Sequence, residues 1–424
     1  MKAVQYAARV WPLGKLLLAG AARLLGISGA ALAAHAPAPE LRVLPALAGA
    51  LIIPVIYLLL RELGSGRRVA TLAAAFLLTD NALLVESRFI LMDSMLLLFG
   101  MAAVLFYLMA RNRSGASRWT LLAATAVAAG AAASTKWTGL SALGLILLSW
   151  GAEALMRRRD WRVLLREGVV FALVPVAVYV ASFAVHFALL TKTGPGDFWM
   201  SRQFQATLAG NPLHEADARE SFVKSMTDLN RVMAGINIGW ASDTNSAASP
   251  WYTWPIAKHS VGFWSLIEPD AGTERWIVLF ANPIVWWGAL FGVAAIVAAA
   301  IVRRAELARH RIALLFLAAG YALNFFPFAF IRRPMFLYHY FFALIFSVML
   351  AATGVGVLAG WTDAGSESRW AFPSRRSSVL YSAVIGLATV AFLYFAPMSY
   401  GRPLRPASVL HRRWLLERHW GRPA

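Results

Sequence analysis

Ten apolar runs, most of them near the roughly 20 residues that carry a helix across about 30 Å of hydrocarbon, leave this chain few ways to fold. They lie at 43–60, 67–85, 90–110, 119–135, 137–156, 169–190, 277–301, 312–331, 337–361 and 378–396. Within a bilayer every backbone N–H and C=O must be satisfied inside its own segment, so such runs read as helices. The expected fold is all-α: a polytopic integral membrane protein of about ten transmembrane helices with one larger outer loop. A composition 59% hydrophobic and only 14% charged, with a mean hydropathy of +0.60, is too apolar for a soluble domain. There is no cysteine, which excludes disulfides, zinc–thiolate sites and thiol nucleophiles.

The net charge of +19 would suit a nucleic-acid binder, but its distribution argues against one. Segment 191–276 carries nine acidic residues against seven Lys and Arg, so the surplus lies elsewhere. Much of it sits in short connections that alternate in charge. One set holds Arg61, Arg67, Arg68, Arg111, Arg113, Arg118, Arg157, Arg158, Arg159, Arg162, Arg166, Arg303, Arg304, Arg309, Arg311, Arg369, Arg375 and Arg376. The other holds Arg88, Lys136, Arg332 and Arg333. By the positive-inside rule the larger set faces the cytoplasm, which puts the smaller set, segment 191–276 and both termini outside. The surplus therefore serves topology and contact with anionic lipid headgroups, and no nucleic-acid partner is expected.

Five regions follow. Residues 1–42 form an N-terminal segment whose apolar Leu16–Leu25 stretch, followed by Ala34-His35-Ala36, imitates a signal peptide. Pro12, Gly14, Lys15 and Arg23 interrupt that stretch, so the segment is expected along the interface instead. Residues 43–190 supply a first bundle of six spans, 191–276 the outer loop, 277–396 a four-span bundle and 397–424 a basic outer tail. Within the loop, 216–238 reads as a helix with Phe222, Met226, Leu229 and Met233 near helical spacing, and 242–250 as turns. Gly354, Gly356 and Gly360 lie inside an apolar run with no strand before them, so they mark a helix-packing surface and not a nucleotide loop.

One stretch breaks the apolar pattern: Asp80, Ser87, Arg88 and Asp93 crowd between two spans. An ionisable group at such depth costs about 2.5–3.5 kcal/mol on insertion scales, so the cluster implies an internal polar site. Arg88 and Asp93 are five residues apart, offset by about 140° on a helix, and so do not share one stripe. Asp93 accordingly reads as orienting a neighbouring helix or a basic partner. Asp80 reads equally as an interhelical contact or a functional group.

Six segments in order, from residue 12 to residue 340, resemble the protein O-mannosyltransferase family of the GT-C glycosyltransferase superfamily. They are Pro12-Leu-Gly-Lys15-Leu-Leu, Asp80 with Ser87-Arg88-Phe-Ile-Leu-Met-Asp93, and Ser134-Thr-Lys136-Trp-Thr-Gly139. Then come Trp251-Tyr-Thr-Trp254-Pro255, Asn282-Pro283-Ile-Val-Trp286-Trp287 and Arg333-Pro-Met-Phe-Leu-Tyr338-His339-Tyr340, and a basic tail with Trp414 and Trp420 also fits. The resemblance implies an enzyme of the compact bacterial type in the plasma membrane, its active face outward. It would take a mannosyl group from a polyprenyl phosphate and give it to Ser or Thr of a secreted protein with inversion. No cofactor beyond that lipid-linked donor is implied.

Such chemistry needs cationic donors for the leaving phosphate and a carboxylate for the acceptor's proton. Arg88 is the first candidate for the phosphate, against a snorkelling role. Lys136 and Lys15 reach a phosphate or snorkel, and Arg333 with Tyr338 and His339 completes a phosphate or sugar pocket or, for Tyr338, an interfacial belt. Trp251 and Trp254 stack on sugar or acceptor, or anchor at the interface. His339 has no partners suited to a metal, and no metal site is expected. The catalytic residue stays unassigned: the family's Asp-Glu pair is absent, the first acidic residue is Glu40, and Val10-Trp11 replaces a His-Pro. Family members have eleven spans, so this chain resembles a copy that begins after the first, with either a coding sequence upstream of Met1 or a non-catalytic remnant that binds lipid-linked sugar. A GT-C enzyme with another lipid-linked sugar or a lipid acceptor stays open, as does a transporter or lipid-binding scaffold, for which no inverted repeat is visible.

Overall fold

The computed structural model describes residues 11–27, 39–157, 159–238, 247–362, 372 and 374–412. Ala34, His35, Ala36, Arg158, Arg369, Trp414, Trp420 and most of the 242–250 turns lie outside the described residues. The chain runs through α1 (Pro12–Leu24), α2 (Val43–Glu62), α3 (Arg67–Leu78), α4 (Asn81–Arg88), α5 (Asp93–Arg111), α6 (Gly115–Thr135), α7 (Leu140–Arg157) and α8 (Trp161–Leu189). The outer segment contributes α9 (Phe222–Ile238) and strands β1 (Val261–Glu268) and β2 (Thr273–Leu279). Then follow α10 (Pro283–Val302), α11 (Arg311–Phe325), α12 (Phe341–Ala359), α13 (Arg375–Tyr400) and α14 (Pro406–Arg412).

Among the described residues eight helices are long and apolar enough to cross a membrane, and nine if the pair α3–α4 counts as one span. The tenth expected run forms α6, a helix of 21 residues whose small side chains leave it less apolar than the eight. The 67–85 run is not straight. It bends by 59° between α3 and α4, where Asp80 leaves helical geometry and caps α4 by accepting from the Leu83 amide at 2.9 Å. The other Asp80 oxygen accepts from Trp286 Nε1 at 2.7 Å and the Asn282 amide at 3.3 Å. Asn282 in turn donates to the carbonyls of Thr79 and Ala388 at 2.7 and 2.9 Å. A buried carboxylate with three donors is a structural knot joining α4, α10 and α13, which decides Asp80 for the interhelical reading.

Two expectations in the outer segment change. The all-α class holds, with one hairpin added in the outer segment, where β1 and β2 pair antiparallel with Val261 opposite Leu279 and Glu268 opposite Thr273. Gly272, at φ +60, makes the connecting turn, and β2 occupies the first residues of the 277–301 run, so α10 starts only at Pro283. The helix expected at 216–238 begins at Phe222, where Ser221 Oγ accepts from the Lys224 amide at 3.3 Å.

The core centres on α12, buried between α10, α11 and α3. Gly292 on α10 lies against Ala351, and Gly354 on α12 against Ile296 and the Gly292 carbonyl, so α10 and α12 approach closely over small residues. Gly354, and Gly356 against Val69 of α3, thus form the expected packing surface, whereas Gly360, at φ +71, caps the end of α12. α1 docks on α6 and α8 with Pro12, Gly14 and Ala22 buried and Leu24 exposed.

Charge separates along the bundle. α6 rises about 31 Å over its length, with Arg118 in its first turn and Lys136 just past its last. At the Arg118 end, Glu167 accepts from Arg118 Nη2 at 2.6 Å, from Arg159 Nη2 at 2.9 Å and from Trp150 Nε1 at 2.8 Å, and Arg111 pairs with Glu153. At the Lys136 end lie Asp93, residues 332–340 and α9.

Candidate functional site

Lys136 owes its position to a break in the helical path. α6 ends at Thr135, Lys136 adopts extended backbone, and the turn Trp137–Gly139 folds back so that the Gly139 amide donates to the Lys136 carbonyl at 2.8 Å. Gly139 backs directly onto Ala132: a Cβ there would stand 2.5 Å from the Ala132 carbonyl carbon, so the return requires glycine. The Lys136 ammonium then meets Asp93 Oδ1 at 2.9 Å, and the two side chains are 14% and 16% exposed. Asp93 opens α5, where the helix dipole favours a carboxylate. The ammonium also sits 5.5 Å from the centre of the Tyr338 ring.

Arg333 approaches from the segment before α12. Its Nε donates to Asn237 Oδ1 of α9 at 3.1 Å and its Nη2 to His339 Nε2 at 3.2 Å. A guanidinium only donates, so His339 Nε2 is the acceptor, while Nδ1 lies 3.0 Å from the Phe336 carbonyl oxygen and 3.2 Å from the Phe336 amide nitrogen. His339 is thereby a neutral, oriented imidazole. Burial pushes the Arg333 guanidinium down from its ordinary value, while Tyr338 and Asp93 pull it back up, and it keeps its charge.

These groups border one cleft. Asp93, Lys136, Thr138, Tyr338 and His339 form its polar side, and Leu96, Leu97, Phe341 and Phe342 its apolar side. An ammonium and, behind His339, a guanidinium thus flank a pocket half lined with hydrocarbon. Such a site suits an anion carried on a lipid chain.

Not every sequence candidate is here. Arg88 points to α13, donating to the Ser399 carbonyl at 2.9 Å and stacking on Tyr400 at 4.4 Å from the ring centre, and it does not line the cleft. Lys15 lies on α1, where burial pushes its ammonium down to about 8. Trp254 is fully buried, its indole 6.2 Å from His339 and nearly parallel at 13°, with Nε1 donating to Ser249 Oγ at 2.9 Å. No face of it is open to a ligand, so the expectation of sugar stacking gives way to a supporting role beneath His339. Trp251 packs edge-on against Phe325 at 4.8 Å.

Glu86 was not singled out from sequence. It is 1% exposed, neither of its carboxyl oxygens has a hydrogen-bond partner among the described residues, and the charges acting on it are those of Asp93 and Lys136. The signal was available: two residues before Arg88 on α4, Glu86 faces about 200° away from it, and so toward the cleft if Arg88 faces α13. A relay was also missed, in which Trp137 Nε1 donates to the Tyr179 hydroxyl at 3.0 Å and that hydroxyl to Asn230 Oδ1 at 2.6 Å. With Asn237 it makes α9 a brace for both cations. Among the described residues no three His, Asp or Glu side chains gather as a metal site.

Comparison with known proteins gives two family matches. Residues 4–191 match the model of dolichyl-phosphate-mannose-protein mannosyltransferase, and residues 222–420 that of the C-terminal four-transmembrane region of protein-O-mannosyltransferase. Protein O-mannosyltransferase 1 of Drosophila melanogaster is 36% identical over 225 residues, covering 47% of this chain and 24% of the fly protein. Protein O-mannosyl-transferase 1 of Mus musculus is 36% identical over 220 residues, covering 47% of this chain and 30% of the mouse protein. The match thus spans about a quarter to a third of these relatives. Among solved structures, the S. cerevisiae protein O-mannosyltransferase Pmt1-Pmt2 complex bound to the sugar donor superposes with a TM-score of 0.78 at 16% identity, over 95% of this chain and 85% of that one. An archaeal oligosaccharyltransferase from Archaeoglobus fulgidus superposes with a TM-score of 0.53 at 15% identity, over 96% of this chain and 51% of that one. Both share the fold.

Proposed function

We propose that this chain, which belongs to the protein O-mannosyltransferase family, moves a mannosyl group from a polyprenyl phosphate to a Ser or Thr hydroxyl of a secreted protein. The observation that carries the reading is one half-apolar cleft that Lys136 lines directly and that Arg333 backs through its hydrogen bond to His339, at the end of the bundle that bears segment 191–276. As the acceptor oxygen bonds to the sugar's anomeric carbon and its proton leaves to solvent, the bond to phosphate breaks and negative charge grows on the phosphate. Fixed cations near that charge lower the barrier because they need no reorganisation. Lys136 and Arg333 take this role, and Asp93 orients Lys136. His339 and Tyr338 wall the sugar side, with Trp254 behind His339. Arg88 holds α13, and Lys15 and Trp251 support packing.

The cleft faces outward from a bacterial plasma membrane in this reading, supported by eighteen basic residues in the connections of one side against four in those of the other. Membrane lipid, the lipid-linked sugar and a secreted protein are then the partners, and no cofactor enters the step. The test is transfer of labelled mannose from polyprenyl phosphate mannose to a Ser/Thr peptide in membranes that contain the protein. Wild type should label the peptide, and Lys136→Ala or Arg333→Ala should lower the rate by roughly 10²-fold. Peptide labelling that is equal in the variants would overturn the assignment of the cations. Transfer only from another lipid-linked sugar, or only to a lipid, would replace the reading by a different GT-C activity.

A further inference from the structure

Glu86 sits behind the cleft as a side chain with no hydrogen-bond donor among the described residues. It is 1% exposed. The groups facing it are few. Asp93 comes from α5, Lys136 from the turn after α6 and Tyr338 from the segment before α12. α2 presents Gly49 against the neighbouring Ser87. The nearby charges of β2 and α13 are engaged elsewhere: Arg275 with Glu268, Glu274 with Trp276 Nε1, and Tyr400 with Arg88. Lys136 spends its ammonium on Asp93, 2.9 Å away.

A bare carboxylate withdrawn from water without a donor is more costly than the same group carrying a proton. Charge counting then distinguishes two states of the site. With Lys136, Arg333, Asp93 and Glu86 all ionised the cleft is neutral. With Glu86 protonated it carries one positive charge, which matches the single negative charge of a sugar phosphodiester. We propose that Glu86 is held as a neutral carboxylic acid and that this sets the cleft's charge for a phosphodiester monoanion, making Glu86 a positioning residue for the donor. The inference rests on the reading of the cleft as a lipid-phosphate site. It adds that donor binding is linked to one proton on a residue that does not touch the donor.

Two readouts separate the inference from that reading. The first needs no ligand: infrared spectra of purified wild type and Glu86→Gln at neutral pH, whose difference isolates the carboxyl of Glu86. A protonated-carboxyl carbonyl band that shifts in deuterium oxide is expected, and a carboxylate band in its place would overturn the proposal. The second is binding of polyprenyl phosphate mannose between about pH 6 and pH 9, a range in which a phosphodiester does not titrate. Wild-type affinity should fall toward alkaline pH, by up to about tenfold per pH unit once Glu86 ionises. Glu86→Gln should flatten that profile, and Glu86→Asp, which keeps an ionisable group, should preserve a slope. Identical profiles for wild type and Glu86→Gln would overturn the linkage. A carbonyl band without lipid binding at any pH would sink the donor reading while leaving the protonated Glu86 in place.

Discussion

Glu220 ties the start of α9 to the chain before it, accepting from Ser201 Oγ at 2.5 Å, Lys224 Nζ at 2.6 Å and Ser225 Oγ at 2.9 Å. Burial works against its charge, but the hydrogen bonds from Lys224, Ser201 and Ser225 outweigh it and hold the carboxyl below the usual glutamate range. A group depressed on folding contributes stability above its unfolded pKa of about 4.3 and loses that contribution as pH falls through the lower folded value. Amide-exchange protection at the start of α9 should therefore drop in acid below about pH 4 in wild type, and Glu220→Gln should remove that dependence. Protection that falls identically in both proteins would contradict the account. At the same scale, the sequence revealed part of the cleft. The helical offset between Arg88 and Asp93 does not apply, because Arg88 ends α4 and Asp93 opens α5 with extended backbone at Phe89 between them, but Asp93 does pair with a basic partner, Lys136. Which of the two faced the cleft was not legible, because Arg88 is claimed by Ser399 and Tyr400, more than 300 residues along the chain. Trp254 misled for a similar reason: its composition suits stacking on a sugar, and only its neighbours show that both faces are covered.

Helices were legible where a single apolar period runs unbroken, as in α2, α5 and α12. The failures came where a distant partner redirects the backbone. Asp80, which caps α4, is the local mark of the 59° bend within 67–85, but the other donors that hold it, Trp286 and Asn282, belong to α10 and its cap. The β-hairpin was hidden because β2 is itself apolar and merges with the span that follows. Connections at the opposite end depend on Glu167, whose side chain is 0% exposed while Arg118 and Arg159 are 19% and 20% exposed. Glu167→Ala leaves two guanidinium groups without their counter-ion, a loss of about 3 kcal/mol, at the low end for a buried pair because the arginines reach water. Thermal unfolding in detergent should show a clearly lowered midpoint for this variant with the cleft's ligand affinity kept. An unchanged midpoint would mean that the pairs contribute nothing net.

Over the whole molecule, the basic residues of the connections divide into two sets, and Arg118 and Arg159 of the larger set lie at the opposite end of the bundle from Lys136 and Arg333 of the smaller. Two members of the smaller set, Lys136 and Arg333, meet Asp93 at the start of α5 and Tyr338 and His339 on the approach to α12, while Arg88 turns to α13. Membership of that end was readable from charge alone, whereas assembly into one cleft depends on how α5, α6 and α12 pack. The central claim is that Lys136 and Arg333 together hold a lipid-borne phosphate. Its most direct test is the equilibrium affinity of purified wild type and the Lys136→Ala/Arg333→Ala double variant for polyprenyl phosphate mannose in lipid nanodiscs. Hydrogen bonds to charged groups contribute about 1.5–3 kcal/mol each, so the double variant should bind at least roughly 100-fold more weakly. An affinity equal to that of wild type would contradict the account.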